Sequence, residues 1–399
     1  MGVTAAAGMD QATWAKLEAS YDTLQRFVAT DAVGLNELKL EPSQAYLRSK
    51  EHLGTASLVD EIKGKAAGKW SAQSYVKPNG AGVAPDVGDM VKAAMGAVTV
   101  VASTSVTYSF NSLAPPTLQL ARAIGTQLYE CVTGAWVEEL TIEVVGNQPA
   151  LFNWSGGFAT YGWVFGAGVY TPSTVSEAAT SFTLAESSRG KIGVGACIKI
   201  GTDDNSGTGY LVTGYDPDNA TVTFAPALAA TQTGATLVVP FTPSQTIGGN
   251  ILSGVNCGLS FDGGSTALGM NSCKVNIKTG FHGLDKEATA SKVTGVSRGR
   301  REVMFEANAY YDATTGTHTQ RWLGMGMDGF VAGFNGADAN ILARIGSNTV
   351  AKRLKLVAAK ARVEVVPVNV PDEEEATVDI KAVARMASAA NDELTLVFD

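Results

Sequence analysis

The chain reads as a mainly β protein with a small helical share, organised around a module that occurs twice. Three observations predict this class. Forty-four glycines spread over 399 residues, set among many Thr, Val and Ala, suit strands joined by tight turns and not a helical bundle. Ala56–Lys65 (ASLVDEIKGK) and Ala290–Arg300 (ASKVTGVSRGR) place Ala, Ser, Val and then Ile or Val at the same offsets, ahead of a Gly flanked by basic residues. Each copy runs into a strand-like stretch, WSAQSYV from Trp70 and VMFEANAYY from Val303, and then into a helix candidate. Those helices are Asp89–Gly96 and Asp338–Gly346, each with Asp at the N-cap and Gly just past the end. Copy two is longer by about the Gly-rich run Gly324–Gly336, as a duplicated module with an inserted loop would be.

Taken in order, Met9–Val33 predicts a long helix. Trp14, Leu17, Tyr21, Leu24 and Val28 recur at three- and four-residue steps, Asp10 can cap the start and Gly34 can end it. Leu40–Gly68 is polar and turn-rich, and Val76–Gly88 is a loop by its Pro and Gly content. Val98–Phe110 is strand-like, Pro115-Pro116 breaks it, and a second strand runs through WVEELTIEV. There Glu139, Thr141 and Glu143 share one face, while Glu138, Leu140, Ile142 and Val144 share the other. The next strand, Leu151–Phe158, sets Asn153 and Ser155 at alternate positions; copy two shows Arg362 and Glu364, then Asp379 and Lys381. Wholly polar strand faces of this kind either meet solvent or line a channel. Between the copies, Phe182–Phe241 has its own rhythm of four short strands with Gly, Asp-Pro and Asn turns, which predicts a small all-β insertion or barrel standing outward as an appendage.

Composition narrows the function. With 45% hydrophobic and 17% charged residues the chain can bury a substantial core over two or three domains. A net charge of -8 argues against a broad phosphate-gripping surface. No basic residue precedes the small apolar run of MGVTAAAGMDQ, so no secretory signal is expected, and the longest apolar run, Ala93–Ala102, is too short for a membrane span. Cys131, Cys197, Cys257 and Cys273 are widely spaced, as buried thiols in a reducing compartment would be.

Motifs for chemistry fail on context. Gly324, Gly326 and Gly329 have dinucleotide-loop spacing but no following helix pattern, and the expected acid is Thr349. GKAAGKW at Gly64 lacks both the spacing and the hydroxyl of a phosphate-binding P-loop. Asn153 stands where an esterase elbow around Ser155 needs Gly, and His52, His282 and His318 have no partners at metal-ligand spacing. Asp203, Asp204 and Asn205 read as a solvated turn, with Gly207 misplaced for a calcium loop, and Asp372–Glu375 as a soluble hairpin tip. No catalytic residue, cofactor or metal is therefore expected. Two similar halves favour an assembly component, since each offers a neighbour nearly the same surface.

The order LEPSQAYLRSKEHLGTASLV, a strand, APDVGDMVKAAMG and the ending NDELTLVFD resembles the tail tube proteins of long-tailed (siphovirus-like) bacteriophages, in a duplicated-domain form. The resemblance implies tandem antiparallel β-sandwich domains, each flanked by a short helix, over 37–172 and 247–399, with the N-terminal helix as 1–36 and the insertion as 173–246. It implies a virion protein, made in the host cytoplasm, whose rings stack into a hollow tube for DNA passage. Trimers would imitate the usual hexamer, with a plain hexamer as the alternative, and tape-measure and tail-tip or terminator proteins would be further partners. On that basis Glu139, Thr141, Glu143, Asn153, Ser155, Arg362, Glu364, Asp379 and Lys381 are candidates to face the lumen, passing DNA without sequence-specific contact. Arg298, Arg300 and Arg301 are candidates to dock a neighbouring subunit. Another virion component or host-binding β protein working through Phe182–Phe241 is the alternative, and a hydrolase on a β scaffold a third.

Overall fold

The computed structural model describes residues 11–48, 61–111, 115–125, 127–165, 169–170, 174–233, 237–260, 268–286, 290–311, 339–347, 352–363, 368–370, 375–387 and 391–399. Its elements begin with β1 (Gln11–Leu17), β2 (Leu35–Arg48), β3 (Glu61–Tyr75), the helix α1 (Gly88–Met95), β4 (Gly96–Val101), β5 (Ser105–Phe110), β6 (Leu118–Ile124), β7 (Leu128–Val145), β8 (Leu151–Phe158) and β9 (Thr160–Phe165). A middle group follows: β10 (Val169–Tyr170), β11 (Ser181–Thr183), β12 (Cys197–Ile200), β13 (Tyr210–Asp216), β14 (Thr221–Ala225) and β15 (Leu237–Pro240). The last group is β16 (Gly258–Ser260), β17 (Met270–Lys278), β18 (Phe281–Gly283), β19 (Val296–Arg298), β20 (Glu302–Tyr310), β21 (Ala339–Gly346), β22 (Arg353–Val363), β23 (Val368–Asn369), β24 (Thr377–Ala384) and β25 (Thr395–Phe398). The fold is mainly β, and the ladders between these strands are antiparallel, as the composition and turn chemistry predict.

The strands form two layers, and the last group repeats the connectivity of the first. In the first, β2–β3–β8–β7 make a front sheet and β1–β6–β7–β9 a back layer. In the last, β17–β20–β24–β22 make a front sheet and β16–β21–β22–β25 a back layer. β7 and β22 each serve both layers, pairing backward along their early residues and forward along their late ones. β7 makes its crossing at Gly134, which holds a left-handed φ of 62° and where a Cβ would sit 2.9 Å from that of Ala159. The two front sheets then fuse edge to edge through a β7–β17 ladder, giving one sheet in the order β2-β3-β8-β7-β17-β20-β24-β22. Behind, the β4–β5 hairpin adds to the edge of β25, so the halves are also stitched at the back.

One apolar core fills the space between layers and runs through both halves. Period-two alternation puts Leu38, Trp70, Phe152, Trp154, Leu140, Ile142, Val275, Phe305 and Ile380 into it. Phe398 of β25 lies at its centre, edge-on to Tyr108 at 5.9 Å. The helix α1 is almost wholly buried; Asp89 accepts from the Leu17 backbone N–H at 3.2 Å in its first turn, and Gly96 closes it at a φ of 105°.

Four sequence expectations are corrected here. The Met9–Val33 segment is no helix over its described part: Gln11–Leu17 is a strand paired residue for residue with β6, and Asp22 turns the chain with a φ of 56°. Within Leu40–Gly68, the described stretches 40–48 and 61–68 are not turn-rich but belong to the antiparallel β2–β3 pair, whose polar side faces water; residues 49–60 lie outside the described residues. The Asp338–Gly346 candidate is not a helix over its described part: Ala339–Gly346 is the strand β21, alternating with Ala339, Ile341, Ala343 and Ile345 buried. The insertion is an open six-stranded sheet, β10-β15-β12-β13-β14-β11, not a closed barrel, although its four expected strands are all present.

That insertion is also no free-standing appendage. Its core takes in Trp14, Ala121, Ala123, Tyr129, Cys131 and Val164 from the back layer of the first half together with Ile198, Tyr210, Val222 and Phe224 of its own. The first back layer is therefore covered on both faces. This explains why Thr13, Trp14 and Ala15 are consecutively buried, which erases the alternation that marks a half-buried strand.

Candidate functional site

The fused front sheet presents one largely polar face, interrupted by Met304 and Val383. Cross-strand partners share a face, so the ladder registers trace rows across it. One row runs Lys39, Ser71, Ser155, Glu139, Lys278 and Glu302. A second runs Glu37, Gln73, Asn153, Thr141, Asn276, Met304, Val383 and Arg362. A third runs Glu143, Lys274, Glu306 and Lys381, and Ser272, Asn308 and Asp379 continue beside it. Eight of the nine residues singled out for this face thus lie on it together; Glu364 is outside the described residues. Sequence reading missed Lys274, Asn276, Lys278 and Glu306, whose alternation in MNSCKVNIK and EVMFEANAY carries the same signal.

Charge alternates in sign along these rows. Lys274 has Glu143 on one side and Glu306 on the other, and Glu306 in turn faces Lys381 at 3.9 Å. Lys278 stands between Glu139 and Glu302, 3.4 Å from the latter. Amides bridge the rest: Gln73 Nε2 donates to Asn153 Oδ1 at 2.8 Å, Asn308 Nδ2 to Asp379 Oδ1 at 2.8 Å, and Asn276 Nδ2 to Glu139. A groove of about 650 Å³ follows the third row across the seam between the halves. Exposed pairs of this kind add little stability. Their effect is to cancel charge locally, leaving a wettable face with no net pull on a polyanion.

The seam itself is a ladder of seven residue pairs from Ser272↔Val145 to Lys278↔Glu139, and buried Thr279 Oγ1 donates to Val137 O at 2.6 Å just beyond it. Its two sides recur at the sheet's outer edges. β2, the counterpart of β17, pairs only with β3 among the described residues, while β22 and β23, the counterparts of β7, border β24 with Val368 and Val370 exposed.

Arg298, Arg300 and Arg301 gather with Arg385 around a cleft of about 790 Å³ at one end of β20 and β24. Arg301 lies 3.9 Å over the Phe110 ring and donates to both Glu393 carboxylate oxygens, at 2.7 and 2.8 Å. Arg298 donates to Asn111 O at 2.6 Å. These three come together as one cluster, in a cleft that also takes in Glu302 of the first row and Val383 of the second.

Elsewhere the discounted motifs remain structural. Asp203 and Asp204 cap a tight turn by accepting from the Asn205 and Gly207 N–H groups. Burial pushes the thiols of Cys197 and Cys273 up to about 12, so both stay protonated. Among the described residues no group of three His, Cys, Asp or Glu side chains is placed to hold a metal, and no helix is long and apolar enough to cross a membrane. The Gly324–Gly329 motif, His52, His318 and Asp372–Glu374 lie outside the described residues. A half-buried carboxylate that sequence reading did not single out, Glu18, accepts from Thr117 Oγ1 at 2.6 Å and from the Gly134 and Asp22 N–H groups. Burial nevertheless lifts its carboxyl to about 7.

No family description matches the chain, and no curated protein matches it significantly.

Proposed function

We propose that this chain is the structural subunit of a bacteriophage tail tube, its copies closing into rings that stack into a hollow conduit for DNA. The observation that carries this reading is the seam. A head-to-tail ladder already formed inside the chain has both of its sides repeated at the outer edges of the same sheet, where β2 and β23 pair with no further strand among the described residues. Heterologous contacts of this type generate rings when the rotation closes, and closure removes open strand edges. Eight front strands per chain make three copies a ring of 24, and at ~4.8 Å spacing and ~45° tilt that barrel is about 50 Å across its backbone, wide enough for a duplex about 20 Å wide. On this reading the sign-alternating face lines the lumen, and its charge cancellation lets DNA slide, because a basic wall would release counterions and hold it. Tape-measure and tail-tip or terminator proteins are the partners that such a tube requires, and the virion tail is its place.

Electron microscopy of the concentrated protein, with and without a tail initiator complex, tests the reading. Hollow tubes with three-fold rings and a bore wider than a duplex are expected. Compact single particles under both conditions would overturn it.

A further inference from the structure

A second cleft, of about 790 Å³, lies where three separate parts of the chain meet. Residues 42–44 and 63–67 of the β2–β3 pair line it, with the corner from β8 into β9 and residues 290–292 of the second half. The Ala66 N–H ties the last of these on by donating to Ser291 O at 2.8 Å. Lys63, Lys65 and Lys292 line the cleft, and among the described residues no Asp or Glu does. In a chain of net charge -8 this one-signed lining stands apart from the sign alternation of the front face. Lys292 is spoken for, donating to Asp22 and to Thr160 Oγ1 at 3.0 Å. Lys65 is not: its Nζ is buried and has no hydrogen-bond partner. An ammonium held in this way carries a desolvation cost that an anion in the cleft would offset. The strand register shows how it comes to be there. Between Gln44↔Ala66 and Tyr46↔Lys63 the pairing slips, so Gly64 and Lys65 stand opposite one residue, a bulge of the kind that re-aims a side chain.

Aromatic rings supply much of the remaining surface. Phe158, Tyr161 and Trp163 lie in a row with centroids 6.4 and 5.5 Å apart and planes inclined by 29° and 26°. Their polar atoms are already engaged, Tyr161 OH donating to Glu130 and Trp163 Nε1 to Gly190 O at 3.0 Å. What these rings offer the cleft is carbon surface.

We propose that this cleft binds a small aromatic anion. Its rings pack against Tyr161 and Trp163, its carboxylate, sulfonate or phosphate accepts from Lys65 Nζ, and exposed Lys63 adds a second cation at the margin. The volume suits a body of about two or three fused rings. The site goes beyond the tube reading and does not depend on it. Because such a ligand touches both halves and the β2–β3 pair at once, its occupancy ties them together and stabilises the fold by mass action.

Titration calorimetry of the full chain with 2-naphthalenesulfonate tests the proposal. Binding should saturate, weaken with salt and raise the melting temperature. 2-Naphthalenemethanol, the same rings without the charge, should bind at least about tenfold more weakly, and methanesulfonate, the charge without the rings, should not saturate. Lys65→Met should lose at least about tenfold for the sulfonate and leave the neutral alcohol unchanged, while Lys65→Arg should keep sulfonate binding. Trp163→Leu should weaken both ring probes, and Lys352→Gln, at an exposed cation elsewhere, should change neither. Parallel titrations with 2-naphthoate and AMP separate carboxylate from phosphate ligands; saturation by either that is lost in Lys65→Met supports the site. Crystals soaked with 6-bromo-2-naphthalenesulfonate should show bromine in the cleft. Equal binding of sulfonate and alcohol, a Lys65→Met variant that binds as wild type does, bromine only elsewhere, or no saturation by any of the ring anions would each overturn the proposal. So would probe binding that vanishes as copies self-associate, which would give the cleft to a neighbouring copy.

Discussion

Reversing Glu139, Glu143 and Glu306 to lysine attacks the sign alternation of the front face directly. Each reversal adds two positive charges, so the triple variant moves the net charge from -8 to -2. Lys274 then loses both acidic neighbours and Lys381 loses its partner at 3.9 Å, which with the three new lysines makes five uncompensated cations per chain. Four cross-strand pairs become like-charged, at a cost of about 1–4 kcal/mol in total, tolerable for a fold with so extended a core. If five cations contact phosphate, the slope of log K against log salt is about -4.5, and duplex affinity falls roughly 500-fold between 50 and 200 mM salt. The assay is anisotropy of a labelled duplex across that salt range, after circular dichroism has shown the variant folded. Wild type should show little affinity and a shallow slope. A folded triple variant without steep salt-dependent binding, or a wild type that already binds steeply, would refute charge cancellation as the property of this face.

Three other substitutions probe the frame that holds it. Phe398→Ala empties the centre of the core beside Tyr108 and Phe152 and should cost about 3–5 kcal/mol in denaturant unfolding, whereas Phe165→Ala, at a site 45% exposed, should cost far less; equal costs would mean that β25 does not stitch the halves. Gly156→Ala would place a Cβ 1.9 Å from Trp136 O and 2.9 Å from Trp70 Nε1 inside the β3–β8–β7 sheet, so soluble yield should collapse, and a normal melt would contradict the close approach seen there. Glu18 titrates near 4.5 unfolded and about 7 folded, so folding takes up a proton between these values. Its contribution favours the folded state most below about 4.5 and is lost as pH rises through 7. Glu18→Gln should flatten the decline in melting temperature between pH 5 and 8; an unchanged decline would assign it to other groups.

Much of the front sheet was legible in the chain because one of its faces meets solvent. In WVEELTIEV the bulge beside Glu139 and the alternation beyond it leave Glu139 and Glu143 half-exposed and Leu140 and Ile142 buried, and period two survives. The insertion was legible for a different reason: Gly, Asp and Asn punctuate its strands at every turn. β1 was misread since the insertion covers its second face, leaving Trp14 and Leu17 to suggest a helical step. β21 was misread because Asp and Gly bracket it as caps would, although Ile341, Ala343 and Ile345 keep a two-residue period. The seam had no local signature at all: Thr141 and Asn276 meet across 135 residues, and only three-dimensional register brings the polar rows into line.

The shared core of the insertion has a consequence for descent. Once Trp14, Tyr129 and Val164 had become the floor of a second hydrophobic compartment, the added sheet could no longer be excised without opening that floor to water. The added sheet makes the outer face of the first back layer dry, so the two depend on each other for their burial. The second half, whose β22 keeps Lys355 and Lys360 half-exposed, preserves the uncovered condition within the same chain. Each molecule therefore carries both the plain and the ornamented version of one architecture, and comparing the two halves reads out which side chains had to change to make the graft permanent.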